Sequence, residues 1–120
     1  MSKIIVNCSY KIHTTLGPGL LESVYEAALC YELTQEGIEF KKQCPIPVSY
    51  GNVSLDMGFR ADIVVEDVLI IEIKAVEETA PVHFKQLLTY LKVSNVKLGL
   101  LINFNKTLIK EGIHRVVNNL

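Results

Sequence analysis

The sequence predicts an α/β domain built on a mixed sheet. Three strand-like segments follow one another with short turns between them, which makes them antiparallel neighbours. A helical segment then separates the third strand from a fourth, so a crossover can place these two strands side by side in parallel. The 120 residues suit one domain with one core, over residues 1–120.

Composition and charge narrow the class of protein. Hydrophobic residues make up 49 % of the chain, which fills a core and argues against disorder. The net charge of -1 gives no basic surplus, although a local basic patch stays compatible with it. Cys8, Cys30 and Cys44 show no CxxC spacing and indicate reduced thiols. Without a signal-peptide pattern or an apolar membrane span, we expect a cytoplasmic protein with no membrane partner.

The N-terminal part of the chain predicts two helices. Residues 3–12 favour a short helix, although a strand also fits, and Gly17-Pro18-Gly19 interrupts the pattern. The second helix runs from Gly19 to about Glu36, and Gly37 ends it in the capping position. The apolar side that we expect to be buried carries Leu21, Val24, Ala28 and Tyr31.

Strands fill the middle of the chain. Residues 38–50 predict the first strand, and the Pro45-Ile46-Pro47 element places part of it at a sheet edge. A turn at Gly51-Asn52 leads to a second strand over residues 53–65, with a bulge or close approach at Gly58. The third strand, residues 69–75, is apolar enough to be covered on both faces.

A helix and a strand complete the predicted core. Pro81 suits the first position of a helix over residues 82–94. Its expected core stripe consists of Phe84, Leu87, Leu88 and Leu91, with Tyr90 on the flank. Residues 98–104 predict a buried strand, and residues 115–117 form a short last strand or helix.

The hairpin over residues 60–75 carries charges that a buried strand should lack. Asp62 lies in its first strand, and Glu72 and Lys74 lie in its second. Because side chains alternate along a strand, Glu72 and Lys74 point to the same side. If residues 66–68 form a three-residue loop, Asp62 lies opposite Glu72. Two carboxylates and an ammonium group then converge on one spot.

Burying these charges is costly unless they pair with each other or with a metal ion. One explanation is therefore a buried ion-pair cluster of Asp62, Glu72 and Lys74 that performs no chemistry. Such clusters stabilise proteins only weakly and are uncommon in central strands. The other explanation is a metal site, which we favour because unusual charges of this kind concentrate at functional sites.

The motifs and their order resemble the PD-(D/E)XK nuclease superfamily. That resemblance implies the restriction-endonuclease-like fold, an αβββαβ core with a mixed central sheet flanked by helices. Ala61-Asp62 stands at the Pro-Asp element without its Pro, and Glu72-Ile73-Lys74 keeps the Glu-x-Lys element. The segment from Gln86 to Tyr90 is similar to the QxxxY motif of exonuclease-like branches. Glu22 resembles the acidic residue that several branches place on the first helix.

A closer resemblance covers nearly the whole chain. The segment from Gly19 to Tyr25 fits a GxxExxY signature, which names a family of small prokaryotic proteins within that superfamily. The other segments that carry the likeness are residues 58–62, 72–75, 86–91 and 99–105. Four motifs in the expected order on the expected elements are more specific than a lone Asp and Glu-x-Lys.

The resemblance implies metal-dependent hydrolysis of phosphodiester bonds with Mg²⁺ or Mn²⁺. Asp62, Glu72 and the backbone carbonyl of Ile73 would supply the oxygen ligands that a hard cation prefers. Lys74 would orient or polarise the attacking water and offset charge on the phosphate. Glu22 would bind a second ion or a metal-bound water, although a carboxylate in the first turn also stabilises the helix dipole.

Three further residues complete the expected site. Gln86 would hydrogen-bond a water or a phosphate oxygen, and Tyr90 and Arg60 would contact the backbone of the nucleic acid. Ordinary explanations stay open, because Gln86 and Tyr90 at this spacing can simply pack on each other. Arg60 can likewise pair with a carboxylate. Phosphate contacts carry no sequence information, so no recognition sequence is predicted.

Two functions from different classes fit the sequence. The first is a Mg²⁺-dependent deoxyribonuclease acting on DNA, for example at branched or single-stranded ends, with RNA as a weaker substrate candidate. The second is a module that binds nucleic acid or protein on the same fold and has little activity. Because a core of this size has no separate recognition domain, we expect a homodimer, a protein partner or a structure-specific substrate.

Overall fold

Three α-helices and seven strands make up the part of the chain that the computed structural model describes, residues 1–55 and 60–119. The helices are α1 (Ser2–Leu16), α2 (Glu22–Gln35) and α3 (Pro81–Ser94). The strands are β1 (Phe40–Pro45), β2 (Val48–Tyr50), β3 (Val53–Leu55), β4 (Arg60–Val65), β5 (Leu69–Lys74), β6 (Leu98–Asn103) and β7 (Ile113–Val117). A 3₁₀ helix, Ile109–Gly112, precedes β7.

A five-stranded sheet with the order β1-β4-β5-β6-β7 forms the centre of the fold. The strands β1, β4 and β5 are antiparallel neighbours, and β7 is antiparallel to β6. The pair β5 and β6 is parallel, because the chain crosses over through α3 between them. This topology confirms the predicted mixed sheet and the α/β class.

The helices cover both faces of the sheet. Side chains of β5 alternate between two hydrophobic clusters, so Ile71 and Ile73 pack with residues of α1 and α2, whereas Ile70 packs with residues of α3. Every residue from Leu69 to Ile73 is buried, as predicted for a central strand. Because α2 and α3 lie on opposite faces, polar groups from both can meet only where the strands end.

The buried side of α2 differs from the prediction. Three of the expected core residues are exposed: Leu21, Val24 and Tyr31. The fully buried residues of this helix are Tyr25, Leu29 and Leu33. The ring of Tyr25 stacks on Phe104 with the centroids 4.6 Å apart, which fixes the rotation of the helix about its axis. As a result, Glu22 lies one turn before Tyr25, at the start of the buried stripe.

The strand predicted over residues 38–50 is in fact two strands. The first, β1, lies at the sheet edge and pairs with β4, while β2 pairs with β3 in a separate two-stranded sheet. Pro45 and Pro47 have no N–H to donate, so a continuous ladder cannot pass through them. The edge position and the turn at Gly51-Asn52 are confirmed. The bulge predicted at Gly58 lies outside the described residues.

The strand predicted over residues 53–65 also divides between two sheets, because β3 pairs with β2 whereas β4 belongs to the central sheet. The elements towards the two ends of the chain agree better with the prediction. The segment over residues 3–12 is helical within α1, and residues 115–117 belong to β7. Tyr90, expected on the flank of α3, is only 2 % exposed and shares the core stripe with Leu87 and Leu91. None of the helices in the described part of the chain has both the length and the apolarity to cross a membrane.

The hydroxyl of Tyr25 provides a test of this packing. It donates to the carbonyl of Gly17 at 2.6 Å and accepts from the N–H of Leu20 at 3.1 Å. We therefore expect Tyr25→Phe to lower the free energy of unfolding by about 1 kcal/mol. The matched control on the same helix is Tyr31→Phe, expected to change it by less than about 0.5 kcal/mol. Urea denaturation measures both free energies of unfolding. Equal decreases in the two variants would contradict the buried, hydrogen-bonded position of the Tyr25 side chain.

Candidate active site

The charged hairpin has the predicted geometry. Residues 66–68 form the three-residue turn, with positive φ angles of 48° at Glu66 and 57° at Asp67. The register pairs Val65 with Leu69 and Ile63 with Ile71. The next positions along the two strands are Asp62 and Glu72, which brings the two acidic residues together at the end of this ladder.

Two carboxylate-to-backbone hydrogen bonds join the strands at this point. The N–H of Asp62 donates to Oε2 of Glu72 at 2.7 Å, and the N–H of Ile73 donates to Oδ2 of Asp62 at 2.8 Å. These bonds use one oxygen of each carboxylate. The arrangement fixes both side chains against the backbone and satisfies two N–H groups that would otherwise need ladder partners.

Burial of the two carboxylates changes their protonation. Glu72 is 5 % exposed, and burial, followed by the charge of Asp62, raises its pKa to about 8. Burial also raises the pKa of Asp62, against the opposing effects of the Ile73 N–H and the Lys74 charge. At neutral pH Glu72 therefore holds a proton.

Lys74 influences the carboxylates through its charge. It is half-buried at the end of β5, and its charge lowers the pKa of both Asp62 and Glu72. The ion pairs formed within the described residues join other side chains: Lys11 to Glu32, Lys41 to Asp67, and Lys106 to Glu78. A closed ion-pair cluster of Asp62, Glu72 and Lys74 is thus absent from the described structure.

Glu22 reaches the same end of the sheet from α2. Its Oε2 accepts from the N–H of Ala75 at 3.4 Å, and its charge raises the pKa of both Asp62 and Glu72. Tyr25 hydrogen-bonds with Gly17 and Leu20 in the loop before α2, which explains the spacing from Glu22 to Tyr25 in physical terms. The tyrosine orients the helix, and the glutamate one turn earlier faces the strand ends.

Helix α3 approaches from the opposite face through Tyr90. Burial, followed by the charge of Glu72, raises the pKa of the Tyr90 hydroxyl, whereas the backbone of Arg60 and the side chain of Gln86 lower it. Gln86 and Tyr90 therefore do interact with each other, and Tyr90 also interacts with β4. The guanidinium of Arg60 donates to the backbone carbonyl of Gln43 at 3.1 Å.

Two polar residues that were not predicted from the sequence, Gln43 and Glu26, lie beside Asp62. The amide Nε2 of Gln43 donates to Oε1 of Glu26 at 2.7 Å and to Oδ1 of Asp62 at 3.4 Å. The residues that line a cavity of about 270 Å³ here are Glu22, Ser23, Glu26, Gln43, Asp62 and Ile73. The spacing of four residues between Glu22 and Glu26 could have placed the latter on the same helix face. Gln43 carried no comparable signal.

Asn103 is a third residue that the sequence analysis did not use. Fully buried in β6 beside Lys74, it donates to the carbonyl of Val76 at 2.8 Å and accepts from the Val76 N–H at 3.2 Å. It also donates to Oγ1 of Thr79 at 3.2 Å. Its side chain therefore fixes the segment between Lys74 and α3. An amide inside an otherwise apolar strand was the available signal.

Comparisons with known proteins agree with this geometry. The model of the PD-(D/E)XK nuclease superfamily matches residues 1–116. This chain belongs to that superfamily. The crystal structure of SSO0001 is similar with a TM-score of 0.56 and 19 % identity, which supports the fold alone. The likeness covers 82 % of this chain and 50 % of that one, so the chain spans half the length of SSO0001. No curated protein sequence matches the chain.

Membership of the PD-(D/E)XK superfamily confirms the predicted fold and the coarse relationship to nucleases. Nucleases of this superfamily generally use divalent metal ions. In the described residues, however, no group of three or more His, Cys, Asp and Glu side chains could hold a metal ion. The carboxylates of Asp62 and Glu72 meet at this point, and carboxylate oxygens suit a hard cation.

The raised pKa of Glu72 predicts a stability that depends on pH. Between about 4.5 and about 8 the folded state holds a proton on Glu72 that the unfolded chain has lost, so stability should fall as the pH rises through this range. The variant Glu72→Gln keeps an acceptor for the Asp62 N–H and removes the titrating group. In this variant the free energy of unfolding should decrease much less as the pH rises, whereas in the wild type the decrease is on the order of a few kcal/mol.

Urea denaturation without metal, at about pH 5 and about pH 8, measures the effect. The control is Glu39→Gln, because Glu39 is an exposed carboxylate in the segment before β1 and should leave the fall intact. If Glu72→Gln retained the full fall, another group would be responsible and the burial argument would be wrong.

Proposed function

We propose that this protein is a divalent-metal-dependent nuclease that hydrolyses phosphodiester bonds in DNA, with residues 1–120 acting as one domain. The observation that supports the proposal most directly is the hairpin end. There the Glu72 carboxylate accepts from the N–H of Asp62 at 2.7 Å, and the Asp62 carboxylate accepts from the N–H of Ile73 at 2.8 Å. Lys74 lies on the same strand as Glu72. Membership of the PD-(D/E)XK nuclease superfamily also supports the proposal, because it relates this chain to nucleases.

Asp62, Glu72 and the carbonyl of Ile73 would hold Mg²⁺ or Mn²⁺. The ion would supply Lewis-acid polarisation of the phosphate and activation of a water nucleophile. The carboxylates must ionise to bind it, so the proton that Glu72 holds at neutral pH would leave on binding. Glu22, whose charge already acts on both carboxylates, would orient a second ion or a water at the strand ends.

The remaining residues would act on the phosphate and the attacking water. The ammonium group of Lys74 would orient the water and offset negative charge as it develops on the phosphate. Gln86, exposed on α3, would hydrogen-bond a water or a phosphate oxygen. Arg60 is exposed beside the hairpin and would contact the nucleic-acid backbone, with Tyr90 positioned between Arg60 and Gln86.

The substrate class follows from the same chemistry. Contacts to phosphate oxygens recognise a backbone and not a base sequence, so we propose a substrate defined by its structure, such as branched or single-stranded DNA. RNA is a weaker candidate. The net charge of -1 gives this chain no basic surplus, so a homodimer or a protein partner would raise the affinity only by adding further contacts to phosphates. We place this activity in the cytoplasm.

One observation favours a second function, a catalytically weak module that binds nucleic acid or protein. The described residues contain no group of three or more acidic, His or Cys side chains that could hold a metal ion. On this alternative, Asp62 and Glu72 would serve only to complete the backbone hydrogen bonding of β4 and β5.

A cleavage assay separates the two functions. With Mg²⁺ or Mn²⁺, the wild type should cut linear, branched or single-stranded DNA. Asp62→Ala removes a metal ligand and Lys74→Ala removes the charge beside the phosphate, so each should lower the rate by about 10²–10³-fold. Lys92→Ala is the control, because Lys92 is exposed near the far end of α3 and should leave the rate unchanged.

Two outcomes would count against the nuclease. Equal cleavage by all four proteins would show a contaminating activity and remove the assignment. An absence of cleavage on every DNA and RNA substrate, with binding retained in a gel-shift assay, would establish the binding module instead. Including RNA in the same series decides between the two nucleic acids.

A further inference from the structure

Gln43 occupies an unusual place in the edge strand β1. The register pairs Lys42 with Ile63 and Cys44 with Ala61, so Gln43 lies opposite Asp62 between these two pairs. Its φ angle is 50°, in the left-handed region that residues with a Cβ atom rarely adopt. Strained backbone of this kind concentrates at functional sites. The chain thus distorts its edge strand at the position next to the candidate metal ligand.

The distortion brings one amide group to two carboxylates on different elements. Nε2 of Gln43 donates to Oε1 of Glu26 on α2 at 2.7 Å and to Oδ1 of Asp62 on β4 at 3.4 Å. The backbone of Gln43 is held as well, because the guanidinium of Arg60 donates to its carbonyl at 3.1 Å. Main chain and side chain of this residue are therefore both tied to neighbouring elements.

Asp62 receives a donor on each of its oxygens. The N–H of Ile73 on β5 donates to Oδ2 at 2.8 Å, and the amide of Gln43 on β1 donates to Oδ1. Two donors from the strands on either side fix the plane of a carboxylate, whereas one donor leaves it free to rotate. The strong bond from Gln43 to Glu26 in turn restricts the amide itself.

We propose that Gln43 is a positioning residue that sets the orientation of the Asp62 carboxylate, and that Glu26 holds the Gln43 amide in place. The inference rests on the proposed function, in which Asp62 is a metal ligand. Groups that orient a ligand through hydrogen bonds typically change metal affinity by about 10–100-fold when removed. Gln43 acts through Asp62 and makes no contact with the metal.

Two variants separate this role from a purely structural one. Gln43→Met keeps the length of the side chain and removes the amide, and Lys41→Met is its control, an exposed position two residues earlier on the same strand. Gln43→Gly also removes the amide but suits a φ of 50°, so the fold should be retained or stabilised. A loss shared by both Gln43 variants therefore comes from the amide.

Calorimetric titration of the full chain with MnCl₂ alone is the first measurement. We expect the Kd to rise by about 10–100-fold in both Gln43 variants, with thermal unfolding of the metal-free proteins maintained and Lys41→Met like the wild type. If the wild type binds Mn²⁺ and cuts DNA but the Gln43 variants bind equally well, the positioning role is wrong and the nuclease stands. A wild type that binds no Mn²⁺ and cuts no substrate overturns both.

A crystal structure of metal-free Gln43→Gly tests the orientation without any metal. The Asp62 carboxylate should rotate and lengthen its bond to the Ile73 N–H; an unmoved carboxylate would overturn the inference whatever the activity.

The role of Glu26 is tested by combining Glu26→Ala with Gln43→Met. The double variant should bind Mn²⁺ no more weakly than Gln43→Met, because both changes act on one amide, whereas additive losses would show that Glu26 acts independently.

Discussion

The reciprocal hydrogen bonds between Asp62 and the β5 backbone, and between Glu72 and the β4 backbone, are the constraint on which the candidate site depends. A central strand covered on both faces cannot leave its N–H groups without acceptors. At the end of the hairpin the two carboxylates supply those acceptors, so the side chains available for chemistry also complete the sheet. The cost is the burial of two acidic groups, seen in the pKa of about 8 at Glu72.

Two aromatic residues bring the helices to this point from opposite faces. Tyr25 stacks on Phe104 and turns α2 so that Glu22 reaches the N–H of Ala75. Tyr90 is buried in α3, where the side chain of Gln86 and the backbone of Arg60 lower the pKa of its hydroxyl. Both rings belong to the core. Packing of the core therefore also determines where the polar groups from the helices lie, which couples the stability of the fold to the geometry of the site.

The hairpin could be predicted because its signals are local. Three turn residues fix the register, and the alternation of side chains then places Asp62 against Glu72. The buried face of α2 could not be predicted in this way, because the helix carries apolar residues on two sides. Which side is buried depends on the contact with Phe104, which lies far along the chain. The position of Gln43 also could not be predicted, because a left-handed backbone conformation inside a strand does not alter the hydrophobic pattern of the sequence. Residue types and local spacing thus predicted where the charged side chains of the hairpin meet, whereas tertiary contacts determined which groups from other elements lie beside them.

The presence of a glutamate at position 72 helps to distinguish a metal-binding role from a structural one. A glutamine there could accept the same hydrogen bond from the Asp62 N–H without burying an ionisable group next to a second carboxylate. The glutamate lowers stability above the pH at which a free carboxyl group ionises, because the fold must then either bind a proton or hold the charge. No structural gain offsets this cost in the contacts of Glu72 described here. A divalent cation held by Asp62 and Glu72 would offset this cost, because its positive charge would compensate both carboxylates without a bound proton. The presence of an ionisable Glu72 beside Asp62 thus favours a metal-binding role over a purely structural one for the pair.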